Sequence, residues 1–254
     1  MTKGKTYTNT GICIWCGKKH PEVSFQDKPH ILPQSLGGEE IGLDICDDCN
    51  HYFGTATQGK PSIDMVFKEI FNSYRFFSDN LTENSYKNFS SVFFSYRHNQ
   101  GKVIIKKNFK PHIITRLFKR GLYNVFLQKY HSFTSDGNHQ KFKMIRDFAR
   151  HDIGNPKVFY AYNNIVFAPK DKSNPCLVMS KKGLDDIDNY GMYCFWCLGH
   201  IFYLEILPIA FNMKGKQFLQ KEANKILIQA SGNERIFELK DIMDIDFLMQ
   251  RFNS

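Results

Sequence analysis

Four of the seven cysteines fall in two C-x-x-C pairs, Cys13/Cys16 and Cys46/Cys49, separated by 29 intervening residues. Each pair can turn two thiolates toward one tetrahedral ion, and two pairs together close a zinc site with no open position. Such a zinc holds structure and performs no reaction. Between the pairs lies His30, flanked by Pro29 and Pro33 in "KPHILP". A histidine titrates near neutrality, so it can take a proton from water at physiological pH. The prolines stiffen the backbone that aims it. Asn50 follows Cys49 directly, so a zinc at the cysteines would set the spacing between His30 and Asn50.

These residues need elements to carry them. Residues 1–59 are short, Gly-rich and poor in large apolar side chains, so they require a staple such as zinc to fold. "KPSIDMVFKEIFNSYRFFSD" (60–79) predicts a helix with Pro61 at its start, and "KVIIKK" a strand. "PHIITRLFKRGLYNVFLQKY" (111–130) carries Ile113, Ile114, Leu117, Phe118, Leu122, Val125 and Phe126 on one stripe, with Arg116, Lys119 and Arg120 expected largely off it. "HQKFKMIRDFARH" (139–151) predicts a second basic helix. From about 155 the pattern becomes that of strands: "KVFYAY", "NIVFA", "CLVMS", "MYCFWCLGHIFYLEIL" and "NKILIQAS". "ELKDIMDIDFLMQRF" predicts a closing helix. The chain reads as α+β, with a metal module over 1–59, a helical, basic region over 60–154 and a β-rich region over 155–254.

Charge and composition narrow the partners. The net charge is +9, and residues 101–150 alone carry +10, leaving −1 for the rest. This regional excess suits a polyanion, and a solvated helix face is the plain alternative. Arg116, Lys119, Arg120, Lys143 and Arg146 are the candidate nucleic-acid contacts. Tyr123, Tyr130 and Phe142 interleave with them, and core packing is their expected role. Cys194-x-x-Cys197 sits among aromatic and aliphatic residues and reads as a buried strand, not a redox motif. Phosphate-binding, dinucleotide and serine-nucleophile motifs are absent from the sequence. No apolar run approaches the roughly 20 residues that span a bilayer. The first residues lack a signal peptide's apolar stretch, so the expected location is cytoplasmic.

The segment between the cysteine pairs is the specific one. "HILPQSLGG" followed by "CDDCNHYFG" resembles the HNH endonuclease family, whose pattern runs C-x-x-C, His-Ile/Val-x-Pro with Ser-x-Gly-Gly, then C-x-x-C-Asn/His. The match covers residues 11–54, about a fifth of the chain. The resemblance implies a ββα-metal fold in which the histidine ends a first strand, a Gly-rich loop follows and the asparagine opens a helix. It implies His30 as general base, Asn50 as ligand to a catalytic divalent metal such as Mg2+, and structural zinc at Cys13, Cys16, Cys46 and Cys49. Gly37 and Gly38 would let the loop turn sharply and approach phosphate. The implied partner is DNA, double-stranded and read with low sequence specificity, in a bacterial or phage defence setting. A protein partner or self-association stays open.

One position departs from the family. The residue before the base is ordinarily Asp, Glu or His and ligates the catalytic metal; here it is Pro29. The family's central asparagine, which orients the base, also has no obvious counterpart. Asp27 is the nearest acid upstream, and Glu39, Glu40 and Asp44 lie downstream. Either Asp27 or His51 substitutes, with Asp27 the tentative ligand, or the metal is held weakly. The alternative is a zinc-stapled DNA- or RNA-binding protein that has lost catalysis. His51 reads as an exposed neighbour of Asn50, and His20 has no assigned role.

Overall fold

The computed structural model describes residues 5–57, 59–79, 86, 88–162, 179–197, 200–208, 213–225 and 236–245. Helices α1 (Asp47–Gly54) and α2 (Ile63–Asp79) precede a hairpin of β1 (Phe94–Arg97) and β2 (Lys102–Ile105). Then come α3 (Pro111–Thr134), α4 (Lys143–His151), β3 (Val158–Tyr162), α5 (Lys181–Tyr190), β4 (Met192–Cys197), β5 (His200–Glu205), α6 (Met213–Ala223) and β6 (Phe237–Glu238). The four strands β4–β5–β3–β6 form one antiparallel sheet. Fold class is α+β.

The spine is α3. Pro111 sits in its first turn, where the missing N–H costs nothing, and Ser135 closes it in left-handed conformation with its N–H on the His131 carbonyl. Its apolar stripe wants cover on several sides. Phe118 packs against Phe67 and Phe71 of α2, with ring centroids 5.9 and 5.5 Å away, and against Phe202 of β5 at 5.6 Å. Tyr123 meets Phe148 of α4, and its hydroxyl reaches the Lys157 and Glu205 carbonyls beside the sheet. Gly121 lets α2 approach, because a Cβ there would lie 2.9 Å from the Phe67 ring. One apolar core consequently runs from Cys13 to Ile245. Tyr123, Tyr130 and Phe142 all belong to it, as core packing requires.

The cysteine-bearing module is lashed to α3 by polar contacts. Asp44, fully buried at φ +57°, accepts hydrogen bonds from the Asn9, Thr10 and Gly11 N–H groups and the Thr10 hydroxyl. It also pairs with His131 Nε2 at 2.8 Å. His131 Nδ1 accepts the Gly137 N–H, so Nε2 carries the proton and donates to Asp44. Lys129 and Ser132 of α3 both grip Glu40. Burial alone would raise the Asp44 carboxyl, but its donors from Thr10, Asn9 and His131 outweigh that and hold it below its ordinary value. The stability Asp44 contributes is therefore full above its unfolded pKa of about 3.9 and is lost as pH falls through the lower folded value. Asp44→Ala, which strands buried His131 and releases three part-buried N–H groups of residues 9–11, should cost about 3–5 kcal/mol. The urea midpoint at neutral pH checks this, and an unchanged midpoint would refute the anchoring role.

The helices at 60–79 and 111–130 form, beginning at Ile63 behind a Ser62 cap and extending to Thr134. The helix expected over 139–151 opens as a 3-10 turn, Gln140–Phe142, before α4. Within the β-rich region, α5 and α6 were not expected. α5 is capped by Ser180, whose side chain accepts the Gly183 N–H, and by left-handed Gly191. The strands expected at 164–168, 176–180 and 224–231 lie wholly or mostly outside the described residues. The closing helix does not form in the described part of its span. Glu238 ends β6, the Leu239 N–H bonds to Val158, and an Asp241–Asp244 capping box closes a 3-10 turn at Ile242–Asp244. Pairing with the sheet outweighs the helical periodicity there. Cys194 and Cys197 lie on β4, in the buried-strand setting expected of them.

Candidate active site and zinc cluster

The four cysteines converge. Cys13, Cys16, Cys46 and Cys49 bring their sulfurs within 4.8 Å of one another, and Cys16 Sγ lies 3.7 Å from Cys46 Sγ. A tetrahedron of Zn–S bonds of about 2.3 Å has S···S edges of about 3.8 Å, so the spacing fits zinc. The turn at Cys13–Cys16 is closed by Gly17, at φ +73°, with its N–H on the Cys13 carbonyl. The Cys46 N–H points at Cys13 Sγ from 3.4 Å. Metal-free, four such thiols cannot ionise together. The hydrogen bond with Cys13 pulls Cys46 down to about 4, while bonds with Cys13 push Cys16 and Cys49 well up. A divalent cation at the centre removes that conflict.

Cys49 sits in the first turn of α1, and Asn50 is the next residue. His30 approaches from a minimal hairpin, a single antiparallel bridge to Ile41 flanked by Ile31 N–H to Glu40 O and Gly42 N–H to Pro29 O. The ββ part of the module is no longer than this. His30 is half-buried, and its Nδ1 is shielded from solvent without a hydrogen-bond partner. An unsatisfied buried polar atom is costly unless it has a task. His30 and Asn50 line one cleft of about 360 Å³, which α2 and α3 close from the far side with Asp64, Lys68 and Asn124. Asp27 lies exposed beside it, its Oδ2 3.4 Å from Asn50 Nδ2.

Residues 13–62 match the family model described as HNH endonuclease. The segment, about a fifth of the chain, is similar to an HNH module. Neither curated proteins nor solved structures gave a match to the chain.

Within the HNH module, the glycine loop has a reason of its own. Gly37, at φ +85°, caps the 3-10 turn Gln34–Leu36. A Cβ on Gly38 would lie 2.0 Å from the Leu32 carbonyl oxygen. The close approach that Gly38 permits is thus to its own chain, where the expectation was phosphate. Of the downstream acids, Asp44 and Glu40 are committed to α3 as described, and Glu39 is exposed. His51 is exposed on α1 and does not line the cleft.

The basic residues of α3 need correction. Lys119 and Arg120 are each 5% exposed, so they do not lie off the buried face. Arg120 donates to the Ala149 carbonyl and the Tyr52 hydroxyl, tying α3 to α4 and to the HNH module. Lys119 donates to Asn155, and burial lowers its pKa to about 8. Arg116 binds Asp152 and the Gly154 carbonyl past the end of α4, where a cation meets the helix's negative pole. Arg146 donates to the Gly137 and His139 carbonyls, and exposed Lys143 pairs with Asp147 one turn on. Arg150 lies over the Tyr52 ring at 3.8 Å. Much of the +10 thus serves helix ends and buried carbonyls. Sequence reasoning missed the cleft residues Lys28, Lys68, Asp64 and Asn124. A signal existed for Asn124: it and Gln128, one turn apart, interrupt an apolar run on α3 and are both buried. Among the described residues no helix is long and apolar enough to cross a membrane.

Proposed function

We propose that the protein is a metal-dependent HNH endonuclease that hydrolyses DNA phosphodiester bonds, with His30 as general base and Asn50, beside Asp27, contributing to the hold on a divalent ion. The observation carrying this reading is that His30 and Asn50 line one cleft, on the segment that one cysteine cluster draws together. A divalent ion such as Mg2+ would supply positive charge at the scissile phosphate and its leaving oxygen. His30 accepts the proton of the attacking water, and its hairpin keeps the ring in line. Lys28 and Lys68, which line the cleft, offer contacts to the phosphates on either side. Contacts to backbone alone bind duplex without reading sequence, which accords with low specificity and a salt-sensitive affinity. Exposed Lys143 can extend that surface, with Arg116 and Arg146 in support. A defence role in a bacterium or phage is the setting that the family resemblance suggests, and the β-rich region would then widen the DNA surface or bind a partner.

Supercoiled plasmid incubated with the protein and Mg2+ or Mn2+ should give nicked and linear products ending in 5′-phosphates. EDTA should stop the reaction, and fresh Mg2+ should restore it. Pro29 favours a second reading, a zinc-stapled nucleic-acid-binding protein without catalysis. Retention of plasmid in a salt-dependent mobility shift, with no cleavage under either metal by fully zinc-loaded protein, would establish that reading instead.

A further inference from the structure

We propose that Asp64 supplies the carboxylate that position 29 lacks, reaching the metal from α2 instead of from the strand that carries the base. This rests on the reading of the cleft as a divalent-metal nuclease site. Asp64 lies in the first turn of α2 and lines the cleft opposite His30. The helix start does not use it: Ser62 Oγ accepts the Met65 N–H, which is the cap. Its Oδ1 receives one long hydrogen bond, 3.4 Å from Asn124 Nδ2. Asn124 Oδ1 in turn accepts Gln128 Nε2 at 2.8 Å, so the amide group is locked with its donor toward Asp64. The other oxygen faces α1. A Cβ built on Gly54 would lie 3.9 Å from Asp64 Oδ2. Gly54 stands one turn beyond Asn50 on the same side of α1, and both line the cleft. The second carboxylate oxygen therefore lies beside the turn of α1 that follows Asn50, at a residue without a side chain.

The charge balance agrees. Among the described residues this carboxyl takes part in no ion pair, and its hydrogen-bond partner is the Asn124 amide. Lys68, one turn along α2, makes no ion pair with it. A half-buried carboxylate without a counter-charge is costly, and a divalent cation is the partner that relieves this cost. Asp27 then acts on Asn50 and not on the metal. It is exposed, lies outside the cleft lining, and touches the amide from behind.

Mn2+ binding followed by electron paramagnetic resonance, on full-length zinc-loaded protein, tests the assignment without reference to activity. Wild type should bind one Mn2+. Asp64→Asn should weaken binding at least about 10-fold, with zinc content unchanged, whereas Asp27→Asn should shift it far less. The reverse ranking would overturn the role of Asp64 while leaving the metal-site reading intact. Wild-type protein that binds no Mn2+ would instead remove the reading on which the inference rests, and the inference with it. Should Asp64→Asn lose zinc through misfolding, paramagnetic broadening in the wild type decides. Amide signals of residues 63–65 and the Asn124 side chain should broaden along with that of Asn50. Broadening confined to residues 26–28 and 50 would place the ion at Asp27 instead.

Discussion

His30→Ala is expected to lower the initial rate of metal-dependent plasmid cleavage by about 10²- to 10⁴-fold, the range that a positioned general base contributes. The variant should fold. The two hydrogen bonds that hold the hairpin, Ile31 N–H to Glu40 O and Gly42 N–H to Pro29 O, are main-chain bonds and survive the truncation. Pro29 is buried and Ile31 belongs to the core, so the strand stays in place around the missing ring. What disappears is the imidazole that lines the cleft with Asn50. Plasmid affinity in the absence of divalent metal should change little, since Lys28 and Lys68 remain. Zinc content and the denaturation midpoint serve as controls. Cleavage at the wild-type rate by correctly folded His30→Ala would end the proposed mechanism.

Loss of zinc should have the second large effect, on folding before chemistry. Intact protein is expected to contain one zinc per chain, and Cys49→Ser to contain far less. Structural zinc sites contribute on the order of 10–16 kcal/mol in small modules, a scale exceeding the whole stability of most domains. Residues 5–57 contain isolated bridges, one 8-residue helix and little sheet, so few other interactions compensate. Without the ion, the Cys13 turn loses its attachment to α1, and α1 its fixed distance from His30. Some of the module should persist in weakened form, because Trp15 and Phe53 meet edge-to-face at 4.9 Å and Asp44 remains bonded to His131. Cleavage should nevertheless vanish, and Mg2+ should not restore it. That separates this variant from simple EDTA treatment, after which Mg2+ suffices. Elemental analysis finding less than half an equivalent of zinc in active wild-type protein would refute the structural assignment.

Much of the site was legible because its chemistry is written locally. Two C-x-x-C turns can do little else so economically, and the segment "HILPQSLGG" together with "CDDCN" places a histidine and an asparagine at fixed sequence spacing from them. The long helices were legible because their apolar periodicity spans several turns. α5 and α6 escaped notice because short polar helices such as "KKGLDDIDNY" are defined by caps and by what they cover more than by periodicity.

The sequence by itself determined that cysteine ligands, a proline-braced histidine and an adjacent asparagine occur together, because ligand spacing and turn chemistry operate over a few residues. Only the tertiary structure decided what faces them. Arg120 and Lys119 turned inward because α4 ends against that side of α3, and their charges satisfy carbonyls and an amide oxygen there. Asp64 entered the cleft because Phe67 and Gly121 let α2 settle against α3 at the level of Asn124. Such contacts join residues 29 to 60 positions apart, and helix–helix packing, to which no local pattern is sensitive, sets them. Pro29 marks the difference. In the sequence it is a missing ligand, and in the fold it is a buried strand residue opposite a carboxylate brought from another helix.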